Sequence, residues 1–203
     1  MISTIPLRKL SYSLFCVVFL IGSVFLSPAR GGDDPSLSST IISKKSFSEW
    51  LGLAKKDDAM AQYVVGHLYE KGDGVKKNDA EAAKWYRKAD KKGLSDATAL
   101  LGVLYLEGRG VKQSNKKGIA FLKKAAKRGN IRARFNLGKA YNVGKHVKKN
   151  IVVSYMWFYL AAYVPRTPES FAAKKEMENL KMVMTKGEID AALKKAQKYT
   201  GGR

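Results

Sequence analysis

One spacing organises most of this chain. Gly66, Gly102 and Gly138 recur every 36 residues, and so do Tyr69, Tyr105 and Tyr141. Gly72, Gly108 and Gly144 keep the same period, as do Val75, Val111 and Val147, and Ala61, Ala97 and Ala133. Trp85, Phe121 and Trp157 follow it, with Ala89, Ala125 and Ala161 four residues later in each unit. Gly93 and Gly129 close the first two units, and Pro165 stands at the third closure. So many coincident positions without a gap mark a repeated supersecondary unit. A unit this short cannot bury an apolar face alone, so successive units must stack.

Each unit reads as two helices. Apolar residues at 61, 64/65 and 68/69 have the spacing of one buried face, which predicts first helices through 61–70, 97–107 and 133–142. A mid-helix glycine costs about 1 kcal/mol against alanine. Its return in every unit predicts close approach of a partner helix rather than a break. The loops EKGDGVKKN, EGRGVKQSN and NVGKHVKKN carry paired glycines suited to positive φ, with His146 in place of the second glycine in the third. The valine after each pair is expected to fold back onto the core. Second helices follow in DAEAAKWYRKADKK, NKKGIAFLKKAAKR and NIVVSYMWFYLAAY. Asn78 with Glu81 resembles a capping box. The third second helix has no charge from 151 to 164 and is predicted to be the most buried, because it is shorter than the about 20 residues a membrane span needs. Ser46–Glu49 and Thr185–Glu188 are further capping boxes, opening a leading helix through Lys56 and the last of two helices at about 169–183 and 186–199.

These motifs resemble the Sel1-like repeat family, a relative of the tetratricopeptide repeats. The pattern A-x-x-x-L-G-x-x-Y-x-x-G-x-G-V followed by A-x-x-W-Y/F-x-x-A-A-x-x-G is met closely over 97–129 and well over 61–93. The third unit departs at His146 and lacks the closing glycine. The resemblance implies an all-α fold, an α/α solenoid of three units with a partial N-terminal helix and a two-helix C-terminal cap. It also implies a role in binding other proteins. A cysteine-rich branch of the family linked to β-lactams ties its helix pairs with disulfides. This chain has only Cys16, so that link is not carried over.

The N-terminus is read apart from the repeats. Arg8 and Lys9 precede an apolar run at 14–26, and Ser27-Pro28-Ala29 offers a cleavage site after Ala29. This is the build of a secretory signal peptide, with an uncleaved anchor as the competing reading. The expected organisation is signal peptide 1–29, flexible linker 30–45, capping helix 46–57, repeats at 58–94, 95–130 and 131–166, and a helical cap at 167–203. The expected location is secreted or periplasmic.

The chain carries 38 Lys+Arg against 17 Asp+Glu, a formal net charge of +21. Such a charge first suggests an anionic partner. Export argues against nucleic acid, and the aromatics lie mostly at core positions rather than on a base-stacking platform. From 108 to 168 there is no acidic residue among fifteen basic ones. Most fall on loops and second helices and read as a solvated outer ridge, whereas Arg132, Arg134 and Lys139 lie on a first helix and are candidates for the concave groove. Tyr63, His67 and Glu70 share that groove by register. No nucleophile set, phosphate loop or metal cluster is legible: the two histidines are far apart, and Asp73/Asp79 lie on a loop and a cap. The expectation is a non-enzymatic adaptor without cofactor, metal or small-molecule substrate, holding an acidic protein or peptide on its concave face. The alternative is a binder of anionic lipid or cell-wall polymer in the envelope.

Overall fold

The computed structural model of the protein describes residues 45–163 and 167–201. The leader at 1–29, nearly all of the 30–45 segment, Pro165 and Arg166 lie outside the described residues. Among the described residues there are nine helices and no strand. They are α1 (Phe47–Lys55), α2 (Ala59–Lys71), α3 (Asp79–Lys91), α4 (Ser95–Glu107), α5 (Asn115–Lys127), α6 (Ile131–Val143), α7 (Ile151–Ala162), α8 (Pro168–Lys181) and α9 (Lys186–Tyr199). The pairs α2–α3, α4–α5 and α6–α7 form the three units, each packed on the next, and α8 and α9 both cover α7. This is the stacked α/α solenoid that the period predicts.

The mid-helix glycines lie where the two helices of a unit meet. A Cβ on Gly66 would stand 2.7 Å from the Tyr86 ring, and one on Gly138 would stand 2.6 Å from the Phe158 ring. In the middle unit the ring position holds Leu122, and a Cβ on Gly102 would meet it at 3.0 Å. The residues facing these glycines are small in every unit: Ala82, Gly118 and Ser154. The Ser154 hydroxyl donates to the Gly138 carbonyl at 2.8 Å. Close approach therefore buries Tyr86, Leu122 and Phe158 completely, which offsets the helix propensity lost at glycine.

The loops repeat in detail. The backbone amides of Asn78, Ser114 and Asn150 donate to the carbonyls of Tyr69, Tyr105 and Tyr141 at 2.9, 2.8 and 2.9 Å. Each of these three residues then caps the following helix with its side chain. Val75, Val111 and Val147 pack against core clusters, as expected. Asn78 accepts from the Ala80 and Glu81 amides, but the box is not reciprocal, because the Glu81 carboxylate turns to Lys84 at 2.6 Å. The boxes at Ser46–Glu49 and Thr185–Glu188 form, and a further one at Thr167–Ser170 opens α8 behind Pro168.

The second loop shows why the third can differ. Gly110 sits on the N-terminus of α3, where a Cβ would lie 2.1 Å from the Asp79 carbonyl oxygen. His146 occupies the equivalent position one unit on, with φ of +70°. Its Nδ1 lies 2.9 Å from Asn115 Oδ1 at the N-terminus of α5. His is among the non-glycine residues that tolerate this region better than most. Asp57, with φ of +70°, makes the same turn before α2 that Gly93 and Gly129 make later. The chain thus enters the array through the second helix of an incomplete leading unit, with Trp50 and Ala54 buried in it.

Candidate binding surface

The helical register places Met60, Tyr63 and His67 along one face of α2. One period on stand Asp96, Ala99 and Val103, and two periods on stand Arg132, Phe135 and Lys139. The Tyr63 and His67 rings stack 6.4 Å apart, and Tyr63 also lies 6.1 Å from the Tyr86 ring. Arg132, on α6, is close enough to act electrostatically on both His67 and Tyr63. The first helices of units one and three therefore present these groups on a common side, taken as the inner face of the array.

Each group there has a definite state. Burial pushes the His67 imidazole pKa down, against the upward pull of Glu70, so the ring is neutral at neutral pH. His67 Nδ1 is buried and has no hydrogen-bond partner among the described residues. Burial alone would lower the Arg132 guanidinium, but the Tyr63 and Glu169 interactions outweigh it and hold it raised. Arg132 Nε donates to Glu169 Oε1 of α8 at 3.3 Å. Lys139 is exposed, with Nζ 5.7 Å from the centre of the Phe135 ring.

Two expected groove residues are committed elsewhere. Glu70 accepts from the Tyr86 hydroxyl and from Arg109 Nη2, each at 2.7 Å, and only 11% of its side chain is exposed. Burial raises the Glu70 carboxyl, yet these two bonds outweigh it and hold the pKa below the usual range. Arg134 turns away from the groove: Nη1 donates to the Leu160 carbonyl at 2.8 Å and Nε to the Ala126 carbonyl at 3.3 Å. Both residues join helices rather than stand free at the groove. Conversely, Asp96 and Glu169 belong to the inner-face cluster and were missed. Glu169 lies 37 residues from Arg132 on a helix outside the repeats, so the period carries no signal for this pair.

A reach back to the preceding unit explains part of the acid-free stretch. Three of its cations meet carboxylates of the unit before: Arg109 binds Glu70, and Lys124 and Arg128 bind Asp90 at 2.8 and 3.2 Å. Asp90 also accepts from the Thr98 hydroxyl at 2.6 Å. Lys112, Lys116, Lys123, Lys127, Lys145, Lys148 and Lys149 make no ion pair among the described residues. No cluster of three or more metal-ligating side chains occurs among the described residues. No helix of the described residues is long and apolar enough to cross a membrane.

Comparison with known proteins agrees with this architecture. The Sel1 repeat family model matches residues 59–93, 95–130 and 131–163. A solved Sel1 repeat protein from Oxalobacter formigenes is similar, with 32% identity and a TM-score of 0.56 over 66% of this chain and 53% of that one. The chain thus spans about half the length of that relative. The protective antigen c5321 of uropathogenic Escherichia coli strains, which displays an SLR fold, is 23% identical over 77% of this chain and 40% of its own, with a TM-score of 0.45. No curated protein matches the chain in sequence. The Sel1 repeat fold is generally a scaffold for protein–protein interaction. Three consecutive matches, a helix pair for each, and loops that share the cap-residue amide bond to the tyrosine carbonyl lead to one conclusion: this chain belongs to the Sel1 repeat family.

Proposed function

We propose that the protein is an exported, non-catalytic adaptor that holds an acidic protein or peptide partner on its inner face. The observation that carries this reading is the convergence of Tyr63, His67, Arg132 and Lys139 from the first and third units on one surface. Such a surface presents ring faces with Lys139 exposed and Arg132 shared with Glu169, and complementary charge would steer an acidic partner to it. Export rests on the basic, apolar and small-residue build of 1–29. The cations without carboxylate partners favour a second reading, an envelope binder, with Lys145, Lys148 and Lys149 of the third loop touching anionic lipid or cell-wall polymer.

A pull-down from envelope extracts at low and high salt tests both. Partner capture falls steeply as salt rises. R132E with K139E reduces capture more than K148E with K149E. Equal losses overturn the inner-face assignment. Sedimentation with anionic vesicles without any protein partner replaces the adaptor with the second reading. Arg134 and Lys124 are unsuitable for this test, since they hold backbone carbonyls and Asp90.

A further inference from the structure

A separate cavity, open on one side to solvent, lies between α5, α6, α7 and α9. Its volume is about 640 Å³, and its walls include Val153, Met156, Trp157 and Tyr199. Trp157 and Tyr199 meet edge to face, with ring centres 4.9 Å apart. Trp157 is almost wholly buried and Tyr199 is 37% exposed, so the second ring forms the outer wall beside the first. Small-molecule sites have this character: about 300–1,000 Å³, mostly apolar, with a few polar groups that fix orientation.

The charged groups here are all of one sign, and Tyr141 of α6 and Tyr199 add neutral hydroxyls. Lys123, Lys127 and Lys195 line the cavity, no carboxylate lines it, and none of the three has an ion-pair partner among the described residues. Lys124, the fourth lysine, is tied to Asp90. Lys123 and Lys127 are one helical turn apart on α5, whereas Lys195 comes from α9, so the cations come from two elements that meet at the cavity.

We propose that this cavity binds a small amphipathic anion: an aromatic body against Trp157 and Tyr199, and a single carboxylate, sulfonate or phosphate held by Lys123, Lys127 and Lys195. It is proposed as a ligand site: the lysines and the Tyr141 and Tyr199 hydroxyls that line it serve to hold and orient the anion. It is independent of the inner-face reading, because no residue is shared between the two surfaces. The apolar walls favour burial of the body, and the lysine ammonium groups supply charge-assisted hydrogen bonds to the head.

The probe is 8-anilinonaphthalene-1-sulfonate, compared with N-phenyl-1-naphthylamine, which keeps the aromatic body without the charge. Fluorescence titration of the full chain is expected to show one saturable site for the sulfonate, with the neutral probe about tenfold weaker. K123Q with K127Q and K195Q, all surface changes, removes that difference. Tyr199→Ala weakens both probes, and R132E with K139E changes neither, while circular-dichroism melts show that each variant is folded. Equal affinity for the two probes, or a sulfonate signal unchanged in the lysine variant, overturns the proposal. So does displacement of the sulfonate by the peptide Glu-Glu-Trp-Glu-Glu but not by naphthalene-1-sulfonate, which would make the site a peptide contact.

Discussion

The second helices α3 and α7 occupy the same place in their units, yet they are built from opposite residues. Two periods relate Lys84 to Met156, Trp85 to Trp157, Tyr86 to Phe158 and Lys88 to Leu160. The inward positions match in kind. The outward ones do not: Lys84 is 62% exposed on α3, whereas Met156 and Leu160 are each 7% exposed on α7. The reason is the neighbour. α3 shows its outer face to water, where Lys88 lies over the Trp85 ring at 3.9 Å. α7 is covered by α8 and α9, so its whole circumference is apolar. The junctions between units follow suit. Units one and two are tied by Glu70–Arg109 and Asp90–Lys124–Arg128, while unit three and the cap are joined mainly by apolar packing. A repeat position thus fixes where a helix lies, and what covers it decides its composition.

The largest test of this contrast exchanges the outward residues. Leu160→Lys is expected to destabilise the fold by about 4 kcal/mol or more, because it places an unpaired ammonium in the apolar cap junction. Lys88→Leu at the matching position on α3 is expected to change stability by no more than about 0.5 kcal/mol. Urea denaturation of both decides it, and similar costs would erase the distinction between the two helices.

Next in size are the glycines at the helix crossings. Gly138→Ala and Gly66→Ala drive a methyl into a buried ring and are expected to cost about 1–3 kcal/mol each. Gly102→Ala meets Leu122 at 3.0 Å and the Gly118 carbonyl at 3.1 Å, less severe than the 2.6–2.7 Å ring contacts, so it should cost the least of the three. A thermal-melt series in which Gly102→Ala is the most damaging would contradict the packing described here.

Asp90→Asn tests the polar junction and is expected to cost about 1.5–3 kcal/mol, the range for hydrogen bonds to a charged group. It also carries a pH signature. Burial raises the Asp90 carboxyl, but the Lys124 and Thr98 hydrogen bonds and the nearby Arg128 charge outweigh it and leave the pKa low. A carboxyl lowered in the folded state contributes stability above its unfolded value, about 3.9, and loses it as pH falls through the folded value. Wild-type stability should therefore drop on acidification below about pH 4, and Asp90→Asn should flatten part of that drop. The smallest effect belongs to the exposed i,i+3 pair on α3: Lys84→Ala is expected to cost only a few tenths of a kcal/mol, resolved by replicate chemical denaturation.

Much of this molecule was legible in the linear pattern. The period placed every helix pair, the mid-helix glycines announced close crossings, and the charge-free run 151–164 marked the buried helix. The candidate surface was less legible. Arg132 and Arg134 were assigned to one groove, although two positions are about 200° apart around a helix. Register alone therefore opposed the pairing, and Arg134 indeed points to the Leu160 and Ala126 carbonyls. Glu70 kept the right register, but the arginine that claims it lies 39 residues away on the next loop.

The sequence by itself determined the repeat, the body of each helix, most caps and the glycine loop positions, because each depends on residues within a turn or two or on a strict spacing; the first helices begin two residues before the apolar pattern does, at 59, 95 and 131. Only the tertiary structure decided which cations are neutralised and which stay free. It also decided that Glu70 and Arg134 are tied to other helices, and that α9 brings Lys195 and Tyr199 beside Trp157 at an open, lysine-rimmed cavity. Those outcomes depend on how one unit is rotated onto the next, and that rotation is set by the packing of whole helices rather than by any short stretch of chain.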